Sequence, residues 1–254
     1  MAVRERPGRP GGAAPRGLSD RDINGMFYIA EMYGLPIDLV ATVLGGSVPQ
    51  AWAAVIRWRR LGYAESGRRG PGPPWVWLTR AGLAACGLRY AAQPPALPRL
   101  AHTRAVAVVR LALEATAGYQ QADAFWRTER RLRARSGGRP GLREHLPDGE
   151  VHWPADAAVP WSGECWAIET ELSRKPVPRT TAIIAELLTR TSDYGGPAAE
   201  VRVPGRPVRH TRVLYVCSPA VRPTVLRARA ALGPAAARVE VRDLPARAAL
   251  EVPG

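Results

Sequence analysis

Asp148, Glu169, Glu171 and Lys175 are the residues whose types and spacing lend themselves to chemistry. Glu169 and Glu171 stand two apart in the run CWAIETEL, residues 165–172, where side chains alternate as they do along a strand. Trp166, Ile168, Thr170 and Leu172 then face one way, and Ala167, Glu169 and Glu171 face the other. Two carboxylates on one face of a mostly apolar strand repel each other, and a divalent cation bound through carboxylate oxygens offsets that repulsion. Asp148, between Pro147 and Gly149, stands at the entry of the preceding strand, where one hairpin brings it beside Glu169. Lys175 is the sole lysine among 36 basic residues. It lies four positions past Glu171, within reach of the same cluster or of a phosphate. Glu129 and Glu114 are further acidic candidates, and His145 and His152 flank the Pro147-Asp148 turn. The plainer alternative is a solvated sheet edge carrying both glutamates, with Lys175 an ordinary surface residue and the histidines structural.

The elements that must position these residues follow one another from Arg99 onward. A helix is expected from Arg99 to Ala117, with Leu100, Val106, Val109, Leu111 and Leu113 apolar. DAFWRTERRLR, residues 123–133, reads as a strand that would carry Glu129, followed by a glycine-rich turn. HLPDGEVHWP and CWAIETEL come next, then a helix from about Arg179 to Arg190. RVLYVCS reads as a buried strand, Pro219 opens a helix to Leu232, and RVEVRDL is a last strand. Helix, three strands, helix, strand, helix, strand is the order of an α/β sandwich around a mixed sheet.

Residues 18–90 form a smaller unit. Ser19 and Asp20 cap a helix reaching Tyr33, with Ile23, Met26, Phe27 and Ala30 at three-four spacing and Gly34 as its stop. Pro36 opens a second helix, and Ser47 caps a third from Val48 to about Leu61, ending on Arg57, Arg59 and Arg60. Tyr63–Glu65, the basic loop SGRRGPGPP and WVWL read as strand, loop and strand, and Thr79 caps a last helix to Cys86. Residues 1–17 read as a disordered basic tail, 91–98 as a Pro-rich linker, 99–246 as the second domain and 247–254 as a frayed tail.

The chain has 254 residues, 46% of them hydrophobic and 23% charged, which is ordinary globular composition. No apolar stretch approaches the about 18 residues of a membrane span, so no membrane partner is expected. The N-terminus lacks the apolar core of a secretory signal. Three scattered cysteines, Cys86, Cys165 and Cys217, argue against a disulfide scaffold and a zinc ribbon and fit a reducing cytoplasm. The net charge of +14 is the informative quantity. It points to a polyanionic partner, with nucleic acid first. A GC-rich genome explains why arginine outnumbers lysine, but not the excess over acidic residues.

Helix, helix, helix, strand, basic loop, strand, helix resembles a winged helix-turn-helix, with RWRRLGYAE and WLTRAGL as the closest fragments. The resemblance implies that the third helix enters the major groove and the loop contacts the backbone. DNA contacts then fall to Gln50, Ala51, Ala54, Arg57, Arg59 and Arg60 on the helix, and to Arg68 and Arg69 in the wing. The alanines offer little base readout, so weak sequence specificity or a docking role stays open. Pro147-Asp148 with Glu169-Thr170-Glu171 resembles the PD-(D/E)xK nuclease-like fold, with Glu171 where that pattern has lysine. The resemblance implies Asp148 and Glu169 as ligands of Mg2+ or Mn2+ if the site is active, and Glu171 as a group positioning or deprotonating water. No ion is called for if the fold only binds.

The order of motifs across 18–245 resembles the replication-relaxation family: Ala101-His102-Thr103, Trp126 to Arg133, Pro147-Asp148-Gly149, Trp166 to Lys175 and Tyr215 to Val225. What this implies is a DNA-binding accessory of a plasmid or integrative conjugative element, acting on double-stranded DNA in replication or mobilisation. A relaxase or replication protein is the protein partner implied, in the cytoplasm on nucleoid or plasmid DNA. Two other readings stay open. One is a metal-dependent endodeoxyribonuclease using Asp148, Glu169 and Glu171. The other is a transcriptional repressor, which requires a homodimer on a palindrome.

Overall fold

The computed structural model describes residues 17–135, 145–155, 157–192 and 208–245. The expected basic tail before Gly17, the glycine-rich turn after Arg135 and the tail 247–254 lie outside the described residues. The chain divides into two compact units, Met1–Ala107 and Val108–Gly254. It is an α+β protein whose second unit is built on a mixed five-stranded sheet.

In the first unit, Ser19 opens α1 (Asp20–Glu31) through a capping box. Its hydroxyl accepts from the Asp22 amide, and the Asp22 carboxylate accepts from the Ser19 amide at 2.9 Å. Such a cap contributes about 1 kcal/mol. A two-residue strand β1 (Leu35–Pro36) leads into α2 (Ile37–Val43), and Ser47 caps α3 (Val48–Arg60) through a second capping box with Gln50. Gly25 is what lets α3 approach α1. A Cβ there would stand 2.7 Å from Leu44 and 3.3 Å from the indole of Trp58, which is fully buried. Strands β2 (Ala64–Gly67) and β3 (Trp75–Leu78) pair antiparallel across the basic loop, and β1 adds to β3 at the other edge. Thr79 caps α4 (Arg80–Ala85). Gly82 is required there because a Cβ would fall 1.9 Å from the Tyr63 carbonyl. The expected order of elements is present, and β1 is an addition to it.

A helix α5 (Leu100–Glu114) contains the division between units, and α6 (Ala117–Gln121) follows it. The second unit continues with β4 (Phe125–Thr128), α7 (Glu129–Arg135), β5 (Gly149–His152) and β6 (Cys165–Glu171). Then come α8 (Val177–Thr189), the short pair β7 (Thr191–Ser192) and β8 (Val208–Arg209), β9 (Arg212–Cys217), α9 (Arg222–Ala230) and β10 (Val239–Asp243). The sheet order is β10-β9-β6-β5-β4. β4, β5 and β6 run antiparallel in turn, whereas β9 and β10 continue parallel to β6.

Helix α5 ends at Glu114, short of the expected Ala117, α6, β7 and β8 are additions, and one expected strand changes character. The run ending ERRLR is not one strand. It turns helical at Glu129, because the Thr128 hydroxyl accepts from the Arg131 amide at 3.2 Å and the following Glu-Arg-Arg-Leu-Arg-Ala-Arg residues are good helix formers. Every residue of β6 is buried, so the strand has no solvated edge. α8 and α9 cover the face carrying Ala167, Val213, Tyr215 and Cys217 with Ile183, Ile184, Leu187, Val225 and Ala228. The glutamates of β6 share that covered face, which makes their burial the central question.

Candidate metal centre

Register places the carboxylates. Gly149 pairs with Ile168, so Asp148, one residue before β5, stands opposite Glu169 on the face of Ala167. Gly149 itself is fixed by packing. A Cβ there would lie 2.2 Å from the Trp126 indole, so only glycine lets that ring cover the turn carrying Asp148. The Asp148 carboxylate accepts the Thr170 amide at 2.8 Å, and its backbone carbonyl accepts the Glu129 amide at 3.2 Å. Asp148, Glu169 and Glu171 are all buried, at 8%, 4% and 5% exposure.

The three carboxylates are partnered differently. Glu171 is held on both sides: its Oε1 accepts from the Ser173 amide at 3.1 Å and the Ser173 hydroxyl at 2.9 Å, and its Oε2, though without a hydrogen bond among the described residues, is ion-paired with Lys175. Glu169 Oε1 is hydrogen-bonded to His145 Nε2 at 3.0 Å, while its Oε2 is buried with no hydrogen-bond partner among the described residues. Burial first, and the charge of Asp148 second, push the Glu169 carboxyl up to about 7, against the pull of His145 and Lys175. Burial draws His145 down, but Glu169 and then Asp148 outweigh it and hold the imidazole above its ordinary value. The pair therefore keeps a proton near neutral pH. The backbone amide of His145 donates to Glu186 on α8 at 2.6 Å, which anchors the imidazole.

Tyr215 is a member that the sequence reading missed. It pairs with Glu169 across β6 and β9, is fully buried, and its hydroxyl has no hydrogen-bond partner among the described residues. Burial and the nearby Glu169, Glu171 and Asp148 push its ionisation upward, so the phenol stays a donor. Its signal in the sequence was weak, since an apolar strand with one tyrosine reads as core. An orphaned carboxylate oxygen beside a second carboxylate, all hard oxygen donors, fits a hydrated Mg2+ or Mn2+.

The remaining expected residues are placed as follows. Asp148, Glu169, Glu171 and Lys175 are brought together, with His145 joining them. Glu129 begins α7 and pairs with Arg133 at 2.7 Å, and Glu114 pairs with Arg110 at 2.9 Å. His152 belongs to a second cluster on the same sheet face. Its Nε2 is 3.1 Å from Glu150 Oε2, and His210 Nε2 is 2.9 Å from Glu150 Oε1. Cys165 Sγ is 3.8 Å from His152 Nε2. Ligand atoms of Glu150, Cys165 and His210 lie within 4.8 Å of one another, a grouping that could hold a metal ion. Alternation of Asp148, Glu150 and His152 along β5 was the available signal for half of this cluster.

On α3, Ala51 and Ala54 are buried at 1% and 8%, because they lie on the face bearing Val55 and Trp58, so neither is a surface contact. Gln50 is exposed, but its Oε1 accepts the Ser47 amide at 2.8 Å in the capping box. A bidentate adenine contact would need that oxygen. Arg57 is ion-paired with Asp22, which also accepts from the Trp58 indole at 2.8 Å. Burial raises the Asp22 carboxyl, yet the Ser19 and Trp58 hydrogen bonds and Arg57 hold it below its ordinary value. Arg59, Arg60 and Arg68 are exposed, and Arg69 lies over the Trp77 ring at 5.9 Å.

No protein-family model matches this chain, and no curated protein matches it. Among solved structures, the restriction endonuclease FokI bound to DNA is similar at a TM-score of 0.29 and 11% identity, over 90% of this chain. The chain spans 44% of that nuclease's length. A likeness of that strength leaves family and activity to the residues themselves. Among the described residues no single helix is long and apolar enough to cross a membrane.

Proposed function

We propose that this chain binds double-stranded DNA through its winged-helix unit and hydrolyses a DNA phosphodiester in its second unit, with a divalent ion held by Asp148 and Glu169. The observation that carries this reading is the buried Glu169 carboxylate, its Oε2 orphaned beside Asp148. A buried polar atom left without a partner costs roughly 1–3 kcal/mol. A cation is the partner that also offsets the repulsion between the two carboxylates. When bound, the ion polarises the scissile phosphate and lowers the pKa of an attacking water.

The chain's own residues divide the rest of the work. His145, above its ordinary pKa and bonded to Glu169, holds and returns the proton at Glu169 Oε1. Tyr215 offers its hydroxyl as a donor beside the carboxylates. Glu171, held by Ser173 through Oε1, serves to seat Lys175. Lys175 is 29% exposed and supplies, from four residues further on, the ammonium that the nuclease pattern places at position 171. The winged helix contributes phosphate contacts through Arg59, Arg60 and Arg68, which gives sequence-tolerant binding.

A second reading is a DNA-binding accessory of a plasmid or integrative element, with the nuclease-like unit as scaffold. The Glu171–Lys175 pair favours it, since each neutralises the other. The order of motifs supports the mobile-element setting in both readings.

Supercoiled plasmid incubated with Mg2+ or Mn2+ tests them. The expected result is metal-dependent nicking or cleavage that Glu169→Ala abolishes while a gel shift persists. A shift without cleavage, in wild type and variant alike, selects the accessory. Binding that does not weaken with salt would contradict both, because phosphate contacts release counterions.

A further inference from the structure

We propose that Glu150, His152, Cys165 and His210 together bind a zinc ion that fastens β5, β6 and the start of β9. The site is separate from the Asp148–Glu169 centre and does not rest on the nuclease reading.

Local structure brings the four together. β5 sets Glu150 and His152 two residues apart on one face. His152 pairs across the sheet with Cys165, and Glu150 with Ala167. His210 lies two residues before β9, its amide donating to the Arg190 carbonyl at 3.2 Å. All four side chains are fully buried. The spacings run from 2.9 Å for His210 Nε2 to Glu150 Oε1, through 3.1 Å for His152 Nε2 to Glu150 Oε2, to 3.8 Å for Cys165 Sγ to His152 Nε2. Tetrahedral zinc with bonds of about 2.0–2.1 Å to nitrogen and oxygen and about 2.3 Å to sulfur separates its ligands by roughly 3.3–3.6 Å. The ligand atoms of Glu150, Cys165 and His210 already lie within 4.8 Å of one another, and His152, 3.1 Å from Glu150 and 3.8 Å from Cys165, closes the set by turning its ring toward the ion.

Hydrogen-bond accounting at His210 points to a cation. Its Nδ1 lies 2.9 Å from the Leu187 carbonyl, which only accepts, so Nδ1 carries a proton. In the neutral imidazole Nε2 is then bare and faces another acceptor, Glu150 Oε1, at 2.9 Å. Two lone pairs at that distance require a proton or a metal between them. A histidine whose far nitrogen donates to a backbone carbonyl has the outer-shell arrangement of metal-binding histidines. The His152 ring is fixed by stacking on Phe125, with centroids 4.6 Å apart and planes 7° from parallel. The Arg127 guanidinium, 3.6 Å from Glu150 Oε2, lies outside the ligand set and orients the carboxylate.

Thiolate and imidazole ligands select zinc over the hard cations that all-oxygen sites prefer. Four protein ligands and no exposure make a closed, structural site rather than a catalytic one. On binding, the Cys165 thiol proton and any proton on the two Nε2 atoms pass to solvent.

The test is the metal content and Co2+ spectrum of the full chain, purified from zinc-supplemented medium and dialysed. About one zinc per chain is expected, retained in excess Mg2+ and in Glu169→Gln. Refolded with Co2+, the wild-type chain should show tetrahedral visible bands and a thiolate-to-cobalt charge-transfer band. Cys165→Ser should lose that charge-transfer band. A folded wild-type chain that holds no zinc, or a six-coordinate cobalt spectrum without a thiolate band, overturns the proposal. So does zinc lost in Glu169→Gln but kept in Cys165→Ser. The wild-type spectrum decides the matter even if Cys165→Ser fails to fold.

Discussion

One face of one sheet carries two polar clusters, and they differ in access. Asp148, Glu150 and His152 alternate along β5, yet Asp148 joins a group whose rim is open, with His145 28% and Lys175 29% exposed. Glu150 and His152 join a group sealed at 0%. The open cluster keeps an orphaned oxygen and a carboxyl raised to about 7. In the sealed one, burial raises the Glu150 carboxyl, but His152 and His210 more than reverse it and hold it well below its ordinary value. Burial alone therefore does not mark a reactive carboxylate. The marker is burial without enough positive partners, at a place that a substrate can reach.

The largest effect should come from breaking the sealed cluster. Glu150→Ala leaves Arg127 and two histidines buried without their shared partner, and a loss of about 3–5 kcal/mol is expected in urea unfolding. If unfolding were unchanged, the contrast between the clusters would collapse.

Next is the pH response of the open cluster without metal. Glu169 is raised from 4.5 to about 7, so its folded form binds the proton more tightly than the unfolded chain does. The contribution of Glu169 to stability is greatest below pH 4.5, falls as pH rises towards about 7, and levels off above. His145, also raised, contributes stability at low pH that is lost as pH rises through its folded value, in the same direction. The melting temperature of the wild type should therefore fall relative to that of Glu169→Gln between about pH 5 and 8. A difference between the two that stays constant or reverses over that range would remove the basis for an uncompensated Glu169.

Smaller still is the stability effect of Lys175→Met. An i,i+4 pair on a partly exposed side chain is worth less than about 1 kcal/mol, so unfolding should hardly change while plasmid cleavage is lost. Retained cleavage would leave Lys175 outside the chemistry. Smallest is the change at the winged helix, where Arg59→Ala should lower the salt slope of DNA binding by about one and leave the fold intact. Arg57→Ala should act on stability through Asp22 instead.

Local signals in the sequence were enough for the helix starts at Ser19, Ser47 and Thr79, because a cap is written within four residues. They were enough to expect Asp148 beside Glu169, because alternation along each strand and an antiparallel return put them on one face, although residues 153–164 separate the strands and a tight turn does not set the register. β1 escaped notice because two residues carry no periodicity. The strand assigned to ERRLR failed because Thr128 acts as a cap in a run whose apolar residues also suit a strand. Glu150 and His210 are 60 residues apart, and only the order of β5, β6 and β9 brings them together. The burial of Ala51 and Ala54 depended on which face Trp58 takes.

The most direct measurement is calorimetric titration of Mn2+ into the zinc-loaded wild-type chain, Glu169→Gln and Cys165→Ser. One exchangeable Mn2+ site is predicted in the wild type, lost in Glu169→Gln and kept in Cys165→Ser. Unchanged Mn2+ binding in Glu169→Gln would contradict a metal centre at Asp148 and Glu169.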